Sequence, residues 1–297
     1  MLSILIPVFN YDMNTLVLQL IQQCELNKID FEIICLDDAS SAVFQTINSK
    51  LPTHKNLTKV QLSNNIGRSS ARNKLTSLAK FDNLLFLDCD VQLMDEAFIK
   101  NYIDTIQNEK HRVIYGSCLY PSDVPKDTRL LLHWKYGLKK ENPSLKYRLK
   151  NPYLCFHTVN FIVNKSIALK FPFDENIKLY GHEDSLWAMQ LKQHQIEILH
   201  IDNPVLHLGL HPVKFFLRNT SQAIKNIIQI NSKQQIIPSK LIVLYQFIKS
   251  CGLHSLYFQI YRYFERKIVR NLMGNNPSLR FYSFYKLGLF IRFKIKL

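Results

Sequence analysis

The sequence is short of the residues and segments that mark small disulfide-bonded, disordered or membrane-spanning proteins. Its 297 residues include 8 glycines and 6 cysteines, and 47% of them are hydrophobic. No Cys-x-x-Cys pair occurs, and several cysteines lie in apolar runs, as buried free thiols do. This spacing argues against a zinc site or a disulfide framework and favours a reducing compartment. A chain of this length and composition can form a large globular core.

Long hydrophobic segments are also missing. No run of about 18 uninterrupted apolar residues occurs, so we expect no transmembrane span. Residues 1–10 lack the basic region and the small-residue cleavage site of a signal peptide, so we expect no secretory leader. Together these features predict a cytoplasmic location.

Acidic residues are nearly absent from the last part of the chain. Residues 213–297 contain 15 of the 38 Lys and Arg but one acid, Glu265. Residues 1–212 contain the other 23 Lys and Arg together with 22 Asp and Glu. This asymmetry predicts two regions with different roles.

The first 92 residues alternate between short apolar runs and helical spacing. The predicted strands are residues 3–8, 31–36, 58–62 and 84–87, with helices at 12–27 and 41–50 and a loop at 64–72 that runs into a helix reaching about residue 79. This order predicts an α/β fold with a mostly parallel, doubly wound sheet. Ligands bind beyond the carboxyl ends of such strands. The polar residues expected at those ends are Asn10, Asp37, Asp38, Asp88 and Asp90.

The pattern is less regular after residue 92. It predicts a helix at 95–109, a strand at 112–120, later strands at 156–164 and 197–201, and a helix at 183–194. The Lys-rich segment 121–152 has little periodicity, and we interpret it as an excursion that covers a substrate site. From residue 212 onward the pattern is helical. Residues 253–272 have one apolar face (Leu253, Leu256, Tyr257, Ile260, Phe264, Ile268 and Leu272), and Gly274 is a candidate helix stop.

Acidic residues follow two of the predicted strands. Asp88 and Asp90 could coordinate a hard divalent cation through oxygen, and such a cation would stabilise charge on a leaving diphosphate. Asp37 and Asp38 could accept hydrogen bonds from a base or ribose, while Ser40 caps the next helix. Aspartates are also favoured in turns and caps, so each pair alone is a weak indication.

The loop at 65–73 joins the third predicted strand to a helix. Gly67, its small neighbours and the helix N-terminus suit the close approach of a phosphate or ribose. Arg72 could supply a cation toward phosphates or hold Asp88 in place. The alternative is an ordinary loop with a surface arginine.

Five segments in this order resemble the inverting family 2 glycosyltransferases of GT-A fold. They are S-I-L-I-P-V-F-N at 3–10, L-D-D-A-S at 36–40, N-I-G-R-S-S-A-R-N at 65–73, F-L-D-C-D at 86–90, and F-D-E at 173–175 with Y-G-H-E-D at 180–184. The resemblance covers roughly residues 1–210. It implies a GT-A, Rossmann-like catalytic domain at 1–212, with a donor half at about 1–92 and an acceptor half at about 93–212, followed by a basic, aromatic-rich helical extension at 213–297.

The resemblance implies a role for each matching residue. Asp38, with Asp37 as second candidate, would contact the donor's base, usually uracil. Asp184, next to Glu183, would be the base that deprotonates the acceptor hydroxyl, although two acids in a first helical turn also suit the helix dipole. The expected donor-binding residues are Pro7, Val8, Asn10, Asp37, Asp38, Gly67, Arg72, Asp88, Cys89 and Asp90.

The implied cofactor is a divalent cation, Mn²⁺ or Mg²⁺. Asp90, Asp88 and His207 are its expected ligands, with His211 as a competitor for the histidine position. A structural role for either histidine is equally open. The Gln-x-x-Arg-Trp signature of processive synthases is absent, so we expect a hexosyl- or N-acetylhexosaminyl-transferase that adds one sugar from a nucleotide-sugar, usually a UDP-sugar, to a glycan or lipid-linked acceptor in polysaccharide biosynthesis.

The basic extension predicts a partner. Its many aromatics and net positive charge suit an anionic membrane surface, where each Lys or Arg can add about 1 kcal/mol of binding. We therefore expect a peripheral protein on the inner face of the cytoplasmic membrane. The alternative is that the extension packs its aromatic face on the catalytic domain. No nucleic-acid-binding motif occurs, so we expect no nucleic-acid partner.

Two other functions share some of these features. A nucleotidyltransferase has a similar topology and uses metals, but its usual N-terminal Gly-rich loop with Arg and Lys is missing from residues 3–10. A non-catalytic membrane-binding module with vestigial acidic motifs is the second alternative. A dehydrogenase is disfavoured because no Gly-x-Gly-x-x-Gly follows the first strand.

Overall fold

The computed structural model describes residues 1–108, 113–232 and 237–295. The last residue of the predicted helix at 95–109 and the first residue of the predicted strand at 112–120 lie outside the described residues. The chain divides into two compact units. We call Met1–Tyr120, Asn142–Lys178 and Glu183–Gly209 the sheet unit, and Pro121–Glu141, Leu179–His182 and Leu210–Leu297 the helical unit. The domain boundary near residue 212 stays a prediction.

The sheet unit contains ten strands and seven helices within the described ranges. The strands are β1 (Leu2–Val8), β2 (Phe31–Asp37), β3 (Leu57–Gln61), β4 (Asn83–Leu87), β5 (Val91–Leu93), β6 (Val113–Tyr115), β7 (Cys118–Leu119), β8 (Asn160–Asn164), β9 (Leu199–His200) and β10 (Val205–His207). The helices are α1 (Asn14–Leu26), α2 (Ala42–Ser49), α3 (Arg68–Leu78), α4 (Phe98–Asn108), α6 (Leu145–Lys150), α7 (Lys165–Lys170) and α8 (Glu183–Gln193).

Seven strands form the main sheet in the order β3-β2-β1-β4-β8-β6-β9. The pairs β1–β2, β2–β3 and β1–β4 are parallel, whereas β8 runs antiparallel to both β4 and β6. Strands β2 and β3 lie on one side of β1, and β4 lies on the other, so the strand order reverses between β1 and β4. In doubly wound sheets ligands bind at the carboxyl ends of the strands at such a reversal. The predicted α/β class with a mostly parallel sheet and flanking helices is therefore confirmed.

A second, three-stranded sheet has the order β5-β10-β7. Strand β10 pairs antiparallel with β5, and His207 lies opposite Val91 in that register. Because β5 begins directly after Asp90, this pairing brings a late part of the chain back to the carboxyl end of β4.

The hydrophobic pattern explains the first four strands. In β1 the residues Leu2, Ile4, Leu5 and Ile6 are fully buried, because helices cover both faces of a parallel sheet. The predicted strands at 3–8, 31–36, 58–62 and 84–87 match β1 to β4 within one residue at each end.

Later elements differ from the prediction. The strand at 112–120 is two short strands, interrupted at Gly116, where a Cβ would lie 2.2 Å from the Tyr102 hydroxyl. The segment 121–152, predicted to be irregular, includes α6 and, in the helical unit, α5 (Leu131–Tyr136) between a 3-10 turn (Thr128–Leu130) and a π turn (Gly137–Glu141). Helix α5 forms because Leu131, Leu132 and Trp134 are buried.

The helical unit is completed by four long helices. They are α9 (Val213–Ser232), α10 (Lys240–Ser250), α11 (His254–Leu272) and α12 (Leu279–Ile295). Its core combines Leu132, Phe216, Tyr261, Ile268 and Tyr282 with neighbouring side chains. No helix in the described part of the chain is both long and apolar enough to span a bilayer.

The predicted single apolar face of residues 253–272 is wrong. Ile268 and Leu272 are buried, but Leu256 is 53% exposed and Ile260 is 42% exposed. The face splits because Tyr261, which the pattern did not include, points into the core instead. The helix ends at Leu272, two residues before Gly274.

Candidate functional site

The loop after β3 is held by a carboxylate at the end of β2. Asp38 Oδ1 accepts a hydrogen bond from the Ile66 amide at 2.7 Å, and Oδ2 accepts one from the Gly67 amide at 2.9 Å. Asn65 donates to the Asp38 carbonyl at 3.0 Å. Gly67 has a φ of +85°, which an L residue rarely adopts, and nothing lies within 4 Å of the position its Cβ would occupy. Asp38 thus shapes this loop, and its contact with a donor base stays a prediction.

Asn10 and Asp37 both hold the turn between β2 and α2. The Asp37 carboxylate accepts from the Ser40 amide at 2.7 Å, and the Asn10 side chain accepts from the Ser41 amide at 2.8 Å. The predicted cap at Ser40 is wrong: its hydroxyl accepts from the Asn10 amide, and Ser41 occupies the N-cap position of α2. Asn10 has a φ of 51°, so the chain turns sharply here.

Pro7 and Val8 form the end of β1 beside these turns. Val8 is buried, and its carbonyl accepts a hydrogen bond from the Asp38 amide at 2.8 Å. Pro7 lies opposite Leu36 of β2 and is half-buried. These two residues fix the position of the strand ends, and any donor contact they make remains a prediction.

A buried arginine joins the end of β4 to the first turn of α8. Arg72 is 1% exposed, and its Nη2 donates to Asp88 Oδ1 at 2.8 Å. Its Nη1 lies 3.7 Å from Glu183 Oε1. The interpretation of Arg72 as a surface arginine is wrong, because this side chain is enclosed. The sequence suggested that Arg72 could face phosphates or hold Asp88 in place, and the structure brings it to Asp88.

Burial also affects Glu183. The pKa of its carboxyl group is raised, first by burial and then by the charge of Asp184, while Arg68 and Arg72 lower it. Only 8% of the Glu183 side chain is exposed, compared with 20% for Asp184. Glu183 is therefore enclosed beside Arg72, whereas Asp184 keeps some access to solvent.

Asp90 contacts the last residue of β10 and the segment that follows it. His207 Nε2 is 3.5 Å from Asp90 Oδ2, and the Leu208 amide donates to the Asp90 carbonyl at 2.8 Å. A Cβ on Gly209 would collide with the Asp90 carboxylate, so a larger residue here would displace that carboxylate from its present position. The Tyr120 ring packs on His207 with centroids 5.2 Å apart.

The donor set suits a cation that is shared with a nucleotide. Among the described residues there is no group of three His, Cys, Asp or Glu side chains placed to hold a metal alone. The Asp90 carboxylate and the His207 imidazole supply two adjacent donors. Because Mg²⁺ is usually bound by one or two carboxylates together with substrate phosphates, this partial set fits a metal–diphosphate complex.

His211 belongs to the helical unit. Its amide donates to His133 Nδ1 at 2.9 Å, and the two rings stack with centroids 5.4 Å apart. Of the two histidines considered as metal ligands, the structure brings His207 to Asp90.

Cys89 lies between the two aspartates. Burial and the nearby carboxylates of Asp90 and Asp88 raise the pKa of its thiol. The side chain therefore stays protonated at neutral pH, and a thiolate ligand is not expected from it.

Several contacts at this site carried no signal in the sequence. Asp184 Oδ2 lies 3.0 Å from His157 Nδ1, and its Oδ1 accepts from the Ser185 amide at 2.6 Å. Asn73 donates to the Phe173 carbonyl at 2.9 Å and accepts from the Phe173 amide at 2.9 Å. The His157–Asp184 and Asn73–Phe173 pairs are far apart in sequence. Asn73, Phe173 and Asp184 belong to motifs that the sequence analysis identified, whereas His157 does not.

Comparisons with known proteins agree with this geometry. Residues 3–171, more than half of the chain, match the family model described as glycosyl transferase family 2. Poly(ribitol-phosphate) beta-glucosyltransferase from Bacillus spizizenii is 31% identical over 117 residues, a match that covers 36% of this chain and 18% of that protein.

Two solved structures share the fold. S. aureus TarS 1–349 in complex with UDP-GlcNAc has a TM-score of 0.52 and 18% identity, over 76% of this chain and 66% of that one. The mannosyltransferase PcManGT from Pyrobaculum calidifontis, in complex with GDP-Man and Mn²⁺, has a TM-score of 0.55 and 14% identity, over 78% of this chain and 64% of that one. This chain spans less than two thirds of the length of each of the three proteins. The family match, the fold and the order of the five motifs lead to one conclusion: the chain belongs to glycosyl transferase family 2, a family of glycosyltransferases.

Proposed function

We propose that the protein is an inverting glycosyltransferase that moves one hexosyl or N-acetylhexosaminyl group from a UDP-sugar to a glycan or lipid-linked acceptor in cell-surface polysaccharide biosynthesis. The observation that carries the proposal is the Asp88–Arg72–Glu183 cluster. It brings Asp88, a carboxylate expected at the donor, next to the start of the helix that bears Asp184. Family membership supports the reaction class. The TarS complex with UDP-GlcNAc supports a UDP-sugar donor, and the poly(ribitol-phosphate) glucosyltransferase supports a polymeric acceptor.

On the donor side, Asp90 and His207 would hold Mn²⁺ or Mg²⁺ together with diphosphate oxygens. When bound, such a cation neutralises the charge that develops on the leaving diphosphate. Arg72 keeps the Asp88 carboxylate in one place, and Asp38 fixes the loop around Gly67. That loop precedes α3, so amide groups at the helix N-terminus favour a phosphate nearby.

On the acceptor side, Asp184 accepts the proton of the acceptor hydroxyl. The hydroxyl oxygen forms a bond to the anomeric carbon while the bond from that carbon to the donor phosphate breaks. Attack from the face opposite the nucleotide inverts the anomeric configuration. A positioned general base contributes about 10²–10⁴-fold to such a step.

Asp184 suits the role of base better than Glu183 does. The Glu183 carboxylate is enclosed and lies between two arginines, with Oε1 3.7 Å from Arg72 and 3.9 Å from Arg68. Asp184 is more exposed, and its carboxylate can meet an acceptor hydroxyl. Glu183 then orients Arg72, which in turn holds Asp88.

The helical unit supplies the surface that we propose for the membrane. Exposed apolar side chains on α10 and α11 recur three or four residues apart and share one side of each helix. They are Val243, Leu244, Phe247, Leu256, Ile260, Tyr263 and Phe264, which together with the bordering Arg266, Lys267 and Arg270 we call the α10–α11 surface.

Charge favours an anionic bilayer as the occupant of the α10–α11 surface. Glu265, the single acid of residues 213–297, is paired with Arg292 at 2.6 Å and accepts from the Tyr261 hydroxyl at 2.9 Å. The remaining charges of this region are cationic, so two copies of the surface would repel one another. Apolar side chains beside Lys and Arg are typical of interfacial helices.

The proposed reaction is tested with a panel of UDP-sugars and Mn²⁺. Thermal shift selects the donor, and poly(ribitol-phosphate) and lipid-linked glycans are offered as acceptors. We expect released UDP in proportion to sugar in the product, with the anomeric configuration inverted in the NMR spectrum. Product that retains the donor's configuration, or the absence of binding by every nucleotide-sugar, contradicts the proposal.

A further inference from the structure

The carboxylate of Asp184 is held at both of its oxygens. Oδ1 accepts from the Ser185 amide at 2.6 Å and lies 3.2 Å from the Ser185 hydroxyl. Oδ2 lies 3.0 Å from Nδ1 of His157, which is 27 residues away in sequence. The first set of contacts comes from the carboxylate's own helix, and the second comes from a different segment. The carboxylate plane is therefore fixed with respect to the sheet as well as to α8.

The segment that carries His157 is firmly anchored. Phe156 is 1% exposed and packs on Trp187 with ring centroids 5.3 Å apart. Trp187 belongs to α8, the same helix as Asp184, so this contact sets the distance between His157 and Asp184. Thr158 is also buried, and the Tyr115 ring meets the His157 ring edge-on at 6.4 Å.

We propose that His157 is a positioning residue that orients the Asp184 carboxylate for proton abstraction; this rests on the proposed function. The Nδ1–H group donates to Oδ2 and leaves the second lone pair of that oxygen for the acceptor hydroxyl, while Ser185 occupies Oδ1. The imidazole is 41% exposed, so it holds the carboxylate without enclosing it. His157 acts through Asp184 and does not itself touch the reacting atoms.

The geometry specifies which substitute can replace the histidine. An asparagine presents its amide nitrogen near the position of Nδ1, whereas a glutamine presents its own near Nε2. The bond to Asp184 uses Nδ1. His157→Asn should therefore preserve the contact, and His157→Gln and His157→Ala should lose it.

The kinetic test compares these three variants with the wild type, using the UDP-sugar and acceptor selected by the panel. A misplacement of about 1 Å can cost about 10²-fold in rate. We expect kcat to fall about 10- to 100-fold in His157→Ala and His157→Gln and to stay within about threefold in His157→Asn. The Kd for UDP should change less than about twofold in all three, since the donor site is separate. An unchanged kcat in His157→Ala, or equal losses in Asn and Gln, overturns the proposal.

Two further measurements separate this proposal from the function itself. In an Asp184→Asn background, His157→Ala should cause no further loss of kcat, because the group it orients is already neutral; an additive loss overturns the positioning role. Crystal structures should contain one Asp184 rotamer in the wild type and in His157→Asn, and a rotated or split carboxylate in His157→Ala. If the Asp184 carboxylate has the same orientation in all three structures, the proposed role of His157 is overturned. This structural test does not require an acceptor. If no acceptor supports transfer, that result counts against the proposed function and not against the role of His157.

Discussion

The sheet unit and the region 213–297 use charge in opposite ways. In the sheet unit, the buried Arg72 lies between the carboxylates of Asp88 and Glu183 and pairs with both. In residues 213–297 most of the 15 Lys and Arg are exposed beside apolar side chains, and the single acid is already paired. A buried charged side chain is held in one orientation by its neighbours, whereas an exposed one remains available to bind another molecule.

In the proposed function, this contrast corresponds to a difference between catalysis in the sheet unit and membrane binding by residues 213–297. A reaction needs a few groups held to within a fraction of an ångström, and buried partners supply that restraint. Binding to a fluid, charged surface needs many groups and little fixed geometry. The two parts of the molecule should therefore respond differently to single substitutions.

The largest effect is expected at Asp184. Asp184→Asn removes the proposed base while keeping the shape of the side chain, so kcat should fall about 10²–10⁴-fold. Donor binding should be unchanged, because the proposed base acts on the acceptor hydroxyl. Transfer kinetics and UDP titration check both statements. If Asp184→Asn retains the wild-type kcat, Asp184 is not the general base.

Arg72→Ala tests whether the enclosed charges depend on one another. It leaves Asp88 and Glu183 without their shared cation, and breaking a buried pair costs about 3–5 kcal/mol. Urea unfolding should show a loss of this size, with Arg68→Ala as the matched control, because Arg68 is 55% exposed and should lose less than about 1 kcal/mol. Equal losses in the two variants would contradict the special role of burial.

The pH dependence of stability should reveal the enclosed carboxyl group. The pKa of Glu183 is raised in the folded protein, so the native state binds its proton more tightly than the unfolded chain does. The stabilisation from this proton is complete below the ordinary glutamate pKa. It is lost as pH rises from that value through the raised pKa, and the decline stops above the raised pKa.

Glu183→Gln cannot titrate at this position and should lack that decline. Urea unfolding of both proteins from about pH 4 to pH 8 measures the difference. The wild type should lose stability relative to the variant across this range. Parallel curves would mean that Glu183 is not enclosed as described.

The smallest effects are expected on the α10–α11 surface. Removing one exposed charge, as in Lys267→Ala, should weaken sedimentation with anionic vesicles several-fold at low salt, since each cation adds about 1 kcal/mol. Leu256→Ser should also weaken it, while Leu18→Ser, a matched exposed leucine on α1 of the sheet unit, should not. Equal vesicle binding by Leu256→Ser and Leu18→Ser would mean that this surface does not contact the membrane.

Much of the fold could be predicted because local pattern and burial agree in β1 to β4. Strands buried on both faces show as continuous apolar runs, and the aspartates that end them are visible in the sequence. The position of Asp88 next to Arg72 could be guessed, because both residues belong to motifs with a family precedent.

The remaining contacts could not be predicted, because they depend on tertiary packing. Nothing near His157 signals its partner Asp184, and nothing near Gly209 signals that it makes room for Asp90. On α11, periodicity identified an apolar face, but Tyr261 entered the core and left Leu256 exposed. A pattern reports which residues are apolar and does not report which neighbour covers them.

The proposed donor site is tested most directly by titrating the selected UDP-sugar into the wild type and Asp90→Ala, with and without Mn²⁺. We expect Mn²⁺ to tighten binding to the wild type and to have no effect on Asp90→Ala, while Asp104→Ala, which removes a half-exposed carboxylate on α4, behaves as the wild type does. Mn²⁺-dependent affinity that survives in Asp90→Ala would contradict the assignment of the β4 carboxyl end as the place where nucleotide-sugar and cation meet.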